Sequence, residues 1–270
     1  VWCAFALFLF AAITDFLDES LQIREVPDDA SALNGLQVQN SGTIGRIVAA
    51  VDASQATIDG LNRNRKNSSP PASPLLIVHH GLFWDGNQPV TGRRYRRLRA
   101  LFEQDAALYS AHIPLDVHAE VGNNPVLARS LGLSDLSPFG KHKGIQLGIA
   151  GNTPDAITTR EGLVASLATT LGLTISEIKL IPGGPKRIKR VGVITGGAGS
   201  AILQARDAGC DTFITGEGAA HTYFDAMEGG INVLYAGHYA TETVGVKALA
   251  AHLSTHFNLP WEFHDHPTGM

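Results

Sequence analysis

The sequence predicts an α/β protein with a substantial core. Short apolar runs, such as residues 45–54 and 231–236, alternate with segments whose apolar residues recur every three or four positions, such as residues 159–171. This alternation is typical of strands followed by helices. The 270 residues, of which 44% are hydrophobic and 17% charged, are enough for one large domain or two of ordinary size.

Composition and charge narrow the classes of function. A net charge of −4 argues against nonspecific nucleic-acid binding as the main task. Cys3 and Cys210 lie far apart in sequence, which excludes a disulfide framework and suits a reducing compartment. Residues 1–12 are almost wholly apolar, but they are too short to span a bilayer and lack the basic start of a secretory signal. We therefore expect a cytoplasmic protein with no membrane segment.

Local sequence patterns in the first half of the chain predict several strands, helices and loops. Residues 1–12 are interpreted as the start of a helix that continues to about Leu21, since Ile13, Phe16 and Leu17 keep helical spacing. Asn34 and Gly35 mark a turn. The polar, Pro-rich residues 62–74 predict an exposed loop. Strands are expected at residues 36–38, 45–54, 76–80 and 106–115, and helices at residues 55–62, 91–104 and 126–131.

The second half predicts a loop-rich start and then a regular alternation. Residues 132–147 carry many turn-forming residues, whereas residues 145–150, 178–181, 190–195, 210–217 and 231–236 are strand-like. Helices are expected at residues 159–171, from Ala201, and from about Gly237 to Phe257. Residues 261–270 contain His264 and His266 among acids and are interpreted as an exposed end.

Two strands end on side chains that can bind metal ions. The run from Leu76 stops at His79 and His80, and the run that begins at Ala106 leads to Asp116. Sites gather at the carboxyl ends of strands in open α/β sheets. Neighbouring strand residues point to opposite faces. The two histidines therefore serve one site only if the strand ends there, as Gly81 permits, or else they serve two adjacent ions.

A third group lies at the start of the last helix. His238 and Glu242 are four residues apart, so their side chains can reach the same point. With His79, His80 and Asp116 they make three imidazoles and two carboxylates, more than one tetrahedral ion needs. The set suits two ions about 3.5–4 Å apart with one carboxylate bridging them. Glu242 is the candidate bridge.

Two further features have both a structural and a functional interpretation. The helix at residues 91–104 carries Arg93, Arg94, Arg96, Arg97 and Arg99. A solvated face explains them better than an anion site, although they would attract phosphate if the helix borders the histidines. The Gly-rich residues 196–199 could bind an anion through backbone amides or could simply allow tight packing; they match neither a dinucleotide fingerprint nor a P-loop.

Several of these segments together resemble the NIF-three-like family, also called GTP cyclohydrolase I type 2 homologues or dinuclear metal centre hexameric proteins. The similarity covers residues 13–258 approximately and keeps the family's motif order. It is carried by residues 34–38, 79–84, 112–116, 122–124, 196–199, 215–217 and 237–242.

The resemblance implies more than the residues themselves do. It implies two related α/β domains, near residues 1–125 and 126–270, with a metal site in the cleft between them and with the C-terminal strand and helix packing back on the first domain. It also implies a toroidal homohexamer. His79 and His238 would favour one ion, His80 and Asp116 the other, and Glu242 both. His112, His118, Glu217 and His221 are candidates for supporting or proton-transfer roles, with a structural role the simpler interpretation.

Three functions remain open from sequence. The first is a metal-dependent hydrolase of a small anionic or nucleotide-like substrate, using two divalent ions (Zn, Mn, Fe or Co). The second is a non-catalytic, metal-stabilised hexameric scaffold or interaction protein. The third is binding of single-stranded nucleic acid through the arginine helix. No catalytic residue is identified.

Overall fold

The computed structural model describes residues 8–62 and 73–269. The chain divides into two compact units. Unit 1 comprises Val1–Leu115 and Val246–His266, and unit 2 comprises Asp116–Gly245 and Pro267–Met270. The boundary predicted from sequence, after residue 125, lies slightly further along the chain than the boundary in the structure, which follows Leu115.

Unit 1 is built on a mixed sheet. In its described part, five strands are ordered β13-β4-β5-β6-β2. The first four are parallel and β2 is antiparallel to β6. Their bounds are β2 Gly35–Val38, β4 Arg46–Asp52, β5 Pro74–His80, β6 Ala107–Ser110 and β13 Trp261–Phe263, and a separate pair is formed by β1 Phe8–Leu9 and β3 Thr43–Ile44.

Helices cover this sheet because their apolar faces bury against its strands. Val48 and Leu76 pack with Ile58 and Leu101 in one core cluster. The side chain of Ser54 accepts a hydrogen bond from the amide of Thr57, which caps α2. The helix bounds are α1 Phe10–Ser20, α2 Gln55–Gly60, α3 Gly92–Glu103 and α4 Ile113–Val117.

Unit 2 has a parallel centre and antiparallel edges. Among its described residues, six strands are ordered β7-β8-β10-β11-β12-β9, and β10, β11 and β12 are parallel. The strand bounds are β7 Ser134–His142, β8 Ile145–Asn152, β9 Lys179–Pro182, β10 Arg190–Val193, β11 Thr212–Thr215 and β12 Asn232–Tyr235. The helix bounds are α5 Asn123–Ser130, α6 Arg160–Leu171, α7 Ile202–Asp207, α8 Thr222–Gly229 and α9 His238–Phe257, whose later turns belong to unit 1.

Two predictions of secondary structure are wrong in the middle of the chain. Residues 134–142 form β7, an edge strand whose mainly exposed side chains and Pro138 hide the strand pattern. The strand predicted to lead to Asp116 ends at Ser110, and Asp116 lies on the short helix α4. The apolar residues after Ser110 are buried in this helix rather than in the sheet.

Both ends of the chain also differ from expectation. Phe8 and Leu9 are in a strand, and the helix begins at Phe10; the rest of the apolar start and most of the predicted loop at residues 62–74 lie outside the described residues. Residues 261–263 form β13 rather than an exposed end, because Glu262 pairs with Arg46 at 2.6 Å and the strand bonds to β4. Within the described chain, no helix combines the length and apolar character needed to cross a bilayer.

Candidate metal centre

Three imidazoles come together in unit 1. His79 and His80 end β5, and His112 follows the end of β6. The centroid of the His79 ring lies 4.8 Å from that of the His80 ring and 4.9 Å from that of the His112 ring. One nitrogen from each ring falls within 4.8 Å of the others, which is close enough to hold a metal ion.

Each of these rings is oriented through Nδ1. This atom of His79 donates to the carbonyl oxygen of Ala111 at 2.9 Å, and that of His80 lies 2.9 Å from Oδ1 of Asp52. Nδ1 of His112 lies 3.0 Å from both carboxylate oxygens of Asp28. A hydrogen bond at one ring nitrogen fixes which nitrogen is left to bind a metal. Nε2 is therefore the ligand atom that all three rings offer.

Asp28 anchors His112 and the start of α4. Burial raises the pKa of its carboxyl group. The hydrogen bond and the charge attraction of His112 oppose this effect, and hydrogen bonds from Asn34 and Asp29 add to them, so the pKa falls to about 2. Its Oδ2 also accepts from the amide of Ile113 at 3.0 Å. Asp28 is therefore a carboxylate at neutral pH and holds His112 in place.

Residues 34–38, one of the family-like segments, support the histidine loops. The side chain of Asn34 accepts from the amide of His112 at 2.8 Å and donates to Asp28. Gln37 accepts from the amide of Leu82 at 2.8 Å, just after the histidine pair. A Cβ at Gly81 would overlap the Gln37 amide, so a larger residue there would displace this side chain. The segment thus fixes both loops that present imidazoles.

Unit 2 holds a second set of donors around His238. Its Nε2 lies 3.1 Å from Oε1 of buried Glu242, one helical turn away. Its Nδ1 lies 2.7 Å from Oε1 of Glu217. The hydrogen bond to Glu242, opposed by burial and assisted by Glu217, raises the pKa of His238 to about 9. Without a metal ion, His238 is an imidazolium that donates to both carboxylates at neutral pH.

Asp116 is fixed by the paired asparagines that begin α5. Its Oδ1 accepts from Nδ2 of Asn123 at 2.8 Å. Asn123 in turn accepts from the amide of Gly245 at 2.7 Å, and Asn124 accepts from the amide of Thr195 at 2.7 Å. All three side chains are buried. The arrangement holds an acceptor-only carboxylate in one orientation.

The Gly-rich turn after β10 packs against the His238 group rather than cradling a phosphate. The amides of Gly196 and Ala198 donate to the hydroxyls of Thr241 and Thr215, and that of Gly199 donates to the carbonyl of Glu217. Gly196 has φ +69°, and a Cβ there would overlap Glu242 and lie 3.3 Å from Nε2 of His238. The packing interpretation from sequence fits these contacts.

Comparison with known proteins identifies the family. A family model described as Duf34/NIF3 (NGG1p interacting factor 3) matches residues 9–268. The chain belongs to this family. The resemblance seen in the sequence motifs is confirmed, and so is the mixed α/β fold, which contains two main sheets.

Relatives of the Duf34/NIF3 chain cover almost its whole length. A Deinococcus radiodurans protein named GTP cyclohydrolase 1 type 2 homolog is 44% identical over 257 residues, 94% of this chain and 92% of that protein. A Halobacterium salinarum protein of the same name is 40% identical over 259 residues, 96% of this chain and 98% of that one. The crystal structure of a Thermus thermophilus protein has a TM-score of 0.82 at 40% identity, covering 97% of this chain and 100% of its own.

The residues that the sequence suggested for supporting or proton-transfer roles do not all lie beside the metal-binding candidates. His112 joins the imidazoles of unit 1, and Glu217 holds His238. Nδ1 of His118 instead accepts from the amides of Glu120 and Val121 at 3.2 Å, which stabilises a turn. His221 is exposed just before α8. A structural or surface role therefore suits His118 and His221.

Sequence reasoning missed two carboxylates that orient imidazoles, Asp28 and Asp52. Asp52 ends β4 beside His80 in the parallel register, so the rule that sites gather at strand ends applies to it as well. Asp28 lies in an irregular segment with no periodic pattern, and its contact with His112 spans 84 positions. Local pattern gives no signal for such a contact.

Proposed function

We propose that this chain binds two divalent metal ions through His79, His80, Asp116, His238 and Glu242 and acts as a metal-dependent hydrolase on a small anionic or nucleotide-like substrate. The observation that carries the proposal is the orientation of the donors. Each imidazole of the set has its Nδ1 engaged by a backbone or carboxylate acceptor, which directs Nε2 toward a ligand.

The donor set fits divalent ions of the first transition row. Imidazole nitrogens and carboxylate oxygens suit Zn²⁺, Mn²⁺, Fe²⁺ and Co²⁺ about equally. In the proposal, Glu242 would serve both ions, His79 and His238 would favour one, and His80 and Asp116 would favour the other. Gly196 supports this role of Glu242, because any side chain at that position would occupy the space beside the carboxylate.

The chemistry combines metal-activated water with oriented side chains. When bound, such ions would supply an activated water, since zinc sites lower the pKa of coordinated water to about 7. Asp52 and Glu217 keep His80 and His238 in orientation. His112, fixed by Asp28 through Nδ1, is our candidate for accepting a proton at Nε2 beside the other imidazoles.

The substrate class in the proposal follows from two considerations. The relatives bear the name GTP cyclohydrolase 1 type 2 homolog, which favours a nucleotide-like compound. The half-buried and exposed arginines of α3 favour an anionic one. The wide separation of Cys3 and Cys210 supports a reducing, cytoplasmic setting.

Hydrolysis by defined metal forms tests the proposal. The full chain is stripped of metal, reloaded with each ion, and assayed against nucleotides, phosphoesters and cyclic amides. We expect turnover with at least one ion and its loss in His79→Ala, while a variant of exposed His221 retains it. The hydrolase is rejected if no compound is turned over, or if His79→Ala matches the wild type.

A metal-stabilised hexameric scaffold is the alternative. The family description names an interacting factor, and Leu203, Tyr223, Phe224 and Met227 expose apolar surface on α7 and α8, which suits protein contacts. We propose six copies in either case. Light scattering with and without chelator measures the mass: dissociation and a lower melting temperature on metal removal, in a protein without turnover, would favour the scaffold.

A further inference from the structure

The arginines of α3 are not equivalent. Buried Arg94 forms a close ion pair with Asp85, and Arg93 lies 3.8 Å from the same carboxylate. Arg99 pairs with Glu103 at 2.7 Å. Arg97 is half-buried, yet its buried Nε has no hydrogen-bond partner within residues 8–62 and 73–269. Arg93, Arg94 and Arg99 thus have carboxylate partners and Arg96 is exposed, so Arg97 is the half-buried arginine of α3 that forms no ion pair among the described residues.

The charge of Asp52, the carboxylate that orients His80, acts on the Arg97 guanidinium. Burial and the charge of Arg93 lower the pKa of Arg97, while Asp52 and Asp85 oppose them. Asp85 is already engaged by Arg94, and Asp52 by His80. The Arg97 guanidinium therefore has carboxylates near enough to influence it but forms no direct ion pair with them.

Trp84 provides a second buried donor in the same region. Its ring lies edge-on to His112 with centroids 4.8 Å apart, and 5.9 Å from the ring of His80. The buried indole Nε1 finds no acceptor in the part of the chain that the structure describes. Buried donors in proteins are nearly always satisfied by protein, water or a bound group, so this donor marks a position where an acceptor can bind.

We propose that Arg97 and Trp84 form an oxyanion subsite beside His80 and His112, which binds a phosphate group of the substrate. Both side chains are donors only, so neither can satisfy the other, and an acceptor-only anion can satisfy both. The permanent charge and planar guanidinium of Arg97 suit phosphate. This inference rests on the proposed function, which it extends by naming the group that is recognised.

Phosphate binding to the zinc-loaded full chain tests the subsite. Inorganic phosphate is titrated by calorimetry into wild type, Arg97→Gln, Arg97→Lys and Trp84→Phe. Loss of a hydrogen bond to a charged group predicts roughly 10- to 100-fold weaker binding for Arg97→Gln, with Arg97→Lys between it and the wild type. Arg96→Gln, on the exposed side of the same helix, is the matched control and should bind normally.

The indole N–H of Trp84 gives an independent signature. In protein labelled with nitrogen-15 at tryptophan, its resonance is the one that disappears in Trp84→Phe. We expect it to move downfield on addition of phosphate, and to stay in place when phosphate is added to Arg97→Gln. This measurement reports on the donor itself and does not depend on turnover.

Two results would overturn the subsite, and both are distinct from failure of the proposed function. One is phosphate affinity unchanged in folded Arg97→Gln and Trp84→Phe; the other is no phosphate binding to zinc-loaded wild type. If the wild type holds none of Zn²⁺, Mn²⁺, Fe²⁺ and Co²⁺, the proposed function fails. The titration on metal-free chain then decides the subsite: Arg97-dependent binding supports it, and binding independent of Arg97 rejects it.

Discussion

The donor groups of the two units are built in different ways. In unit 1, the partners that orient His79, His80 and His112 lie 32, 28 and 84 positions away in sequence. In unit 2, His238 reaches Glu242 within one turn of the same helix. The first group depends on the sheet being folded, whereas the second is largely set by helix geometry.

The groups also differ in charge without metal. Unit 1 contributes imidazoles, whose Nε2 lone pairs are ready for a cation once Nδ1 donates. Unit 2 contributes buried or half-buried carboxylates, and His238 is protonated because its pKa is raised to about 9. A metal ion must displace this proton, so we expect the two groups to respond differently to substitution and to pH.

Glu242→Gln should have the largest effect. It removes a buried anionic donor while keeping the shape of the side chain. We expect metal affinity to fall by more than roughly 100-fold, beyond the range typical of residues that only support a ligand. Equilibrium dialysis with elemental analysis measures the change, and Glu228→Gln on the exposed side of α8 is the control. Equal affinities in the two variants would remove Glu242 from the site.

The pH dependence of His238 should give the next largest effect. Its pKa in the folded, metal-free chain is about 9, above the ordinary 6.5. The stabilisation is therefore complete below pH 6.5 and is lost as pH rises through about 9. We expect His238→Asn to lower the free energy of unfolding by about 2 kcal/mol near pH 6, allowing for partial exposure, and by less near pH 10.

Chemical denaturation of metal-free wild type and His238→Asn at both pH values provides the measurement. If His238→Asn lowers the free energy of unfolding equally at both pH values, or more at high pH, pairing of His238 with the carboxylates is not the cause of the loss.

Asp52→Asn tests the orientation of an imidazole in unit 1 and should have a smaller effect than loss of a ligand. Asn keeps the size but weakens the hold on His80. We expect metal affinity to fall by about 10- to 100-fold, measured by competition with a chromophoric chelator. Asp59→Asn, also in this region but exposed on α2, should leave the affinity unchanged. If Asp52→Asn also leaves the metal affinity unchanged, the hydrogen bond between Asp52 and Nδ1 of His80 does not contribute to metal binding.

The contrast between the units also explains what the sequence could predict. Strands such as β4, β5 and β12 have continuous apolar runs, and the contact of His238 with Glu242 follows from a spacing of four residues. Strand β7 was missed because its exposed edge position leaves it polar. Asp28 was missed because its contact with His112 exists only after distant loops meet. Local periodicity carries no information about such contacts.

Metal stoichiometry of wild type and three variants tests the central claim most directly. If five side chains hold two ions with Glu242 shared, elemental analysis should give about two ions per wild-type chain, about one in His80→Ala and Asp116→Ala, and close to none in Glu242→Gln. The account is contradicted if the wild type binds fewer than two ions, or if Glu242→Gln keeps an ion that His80→Ala loses.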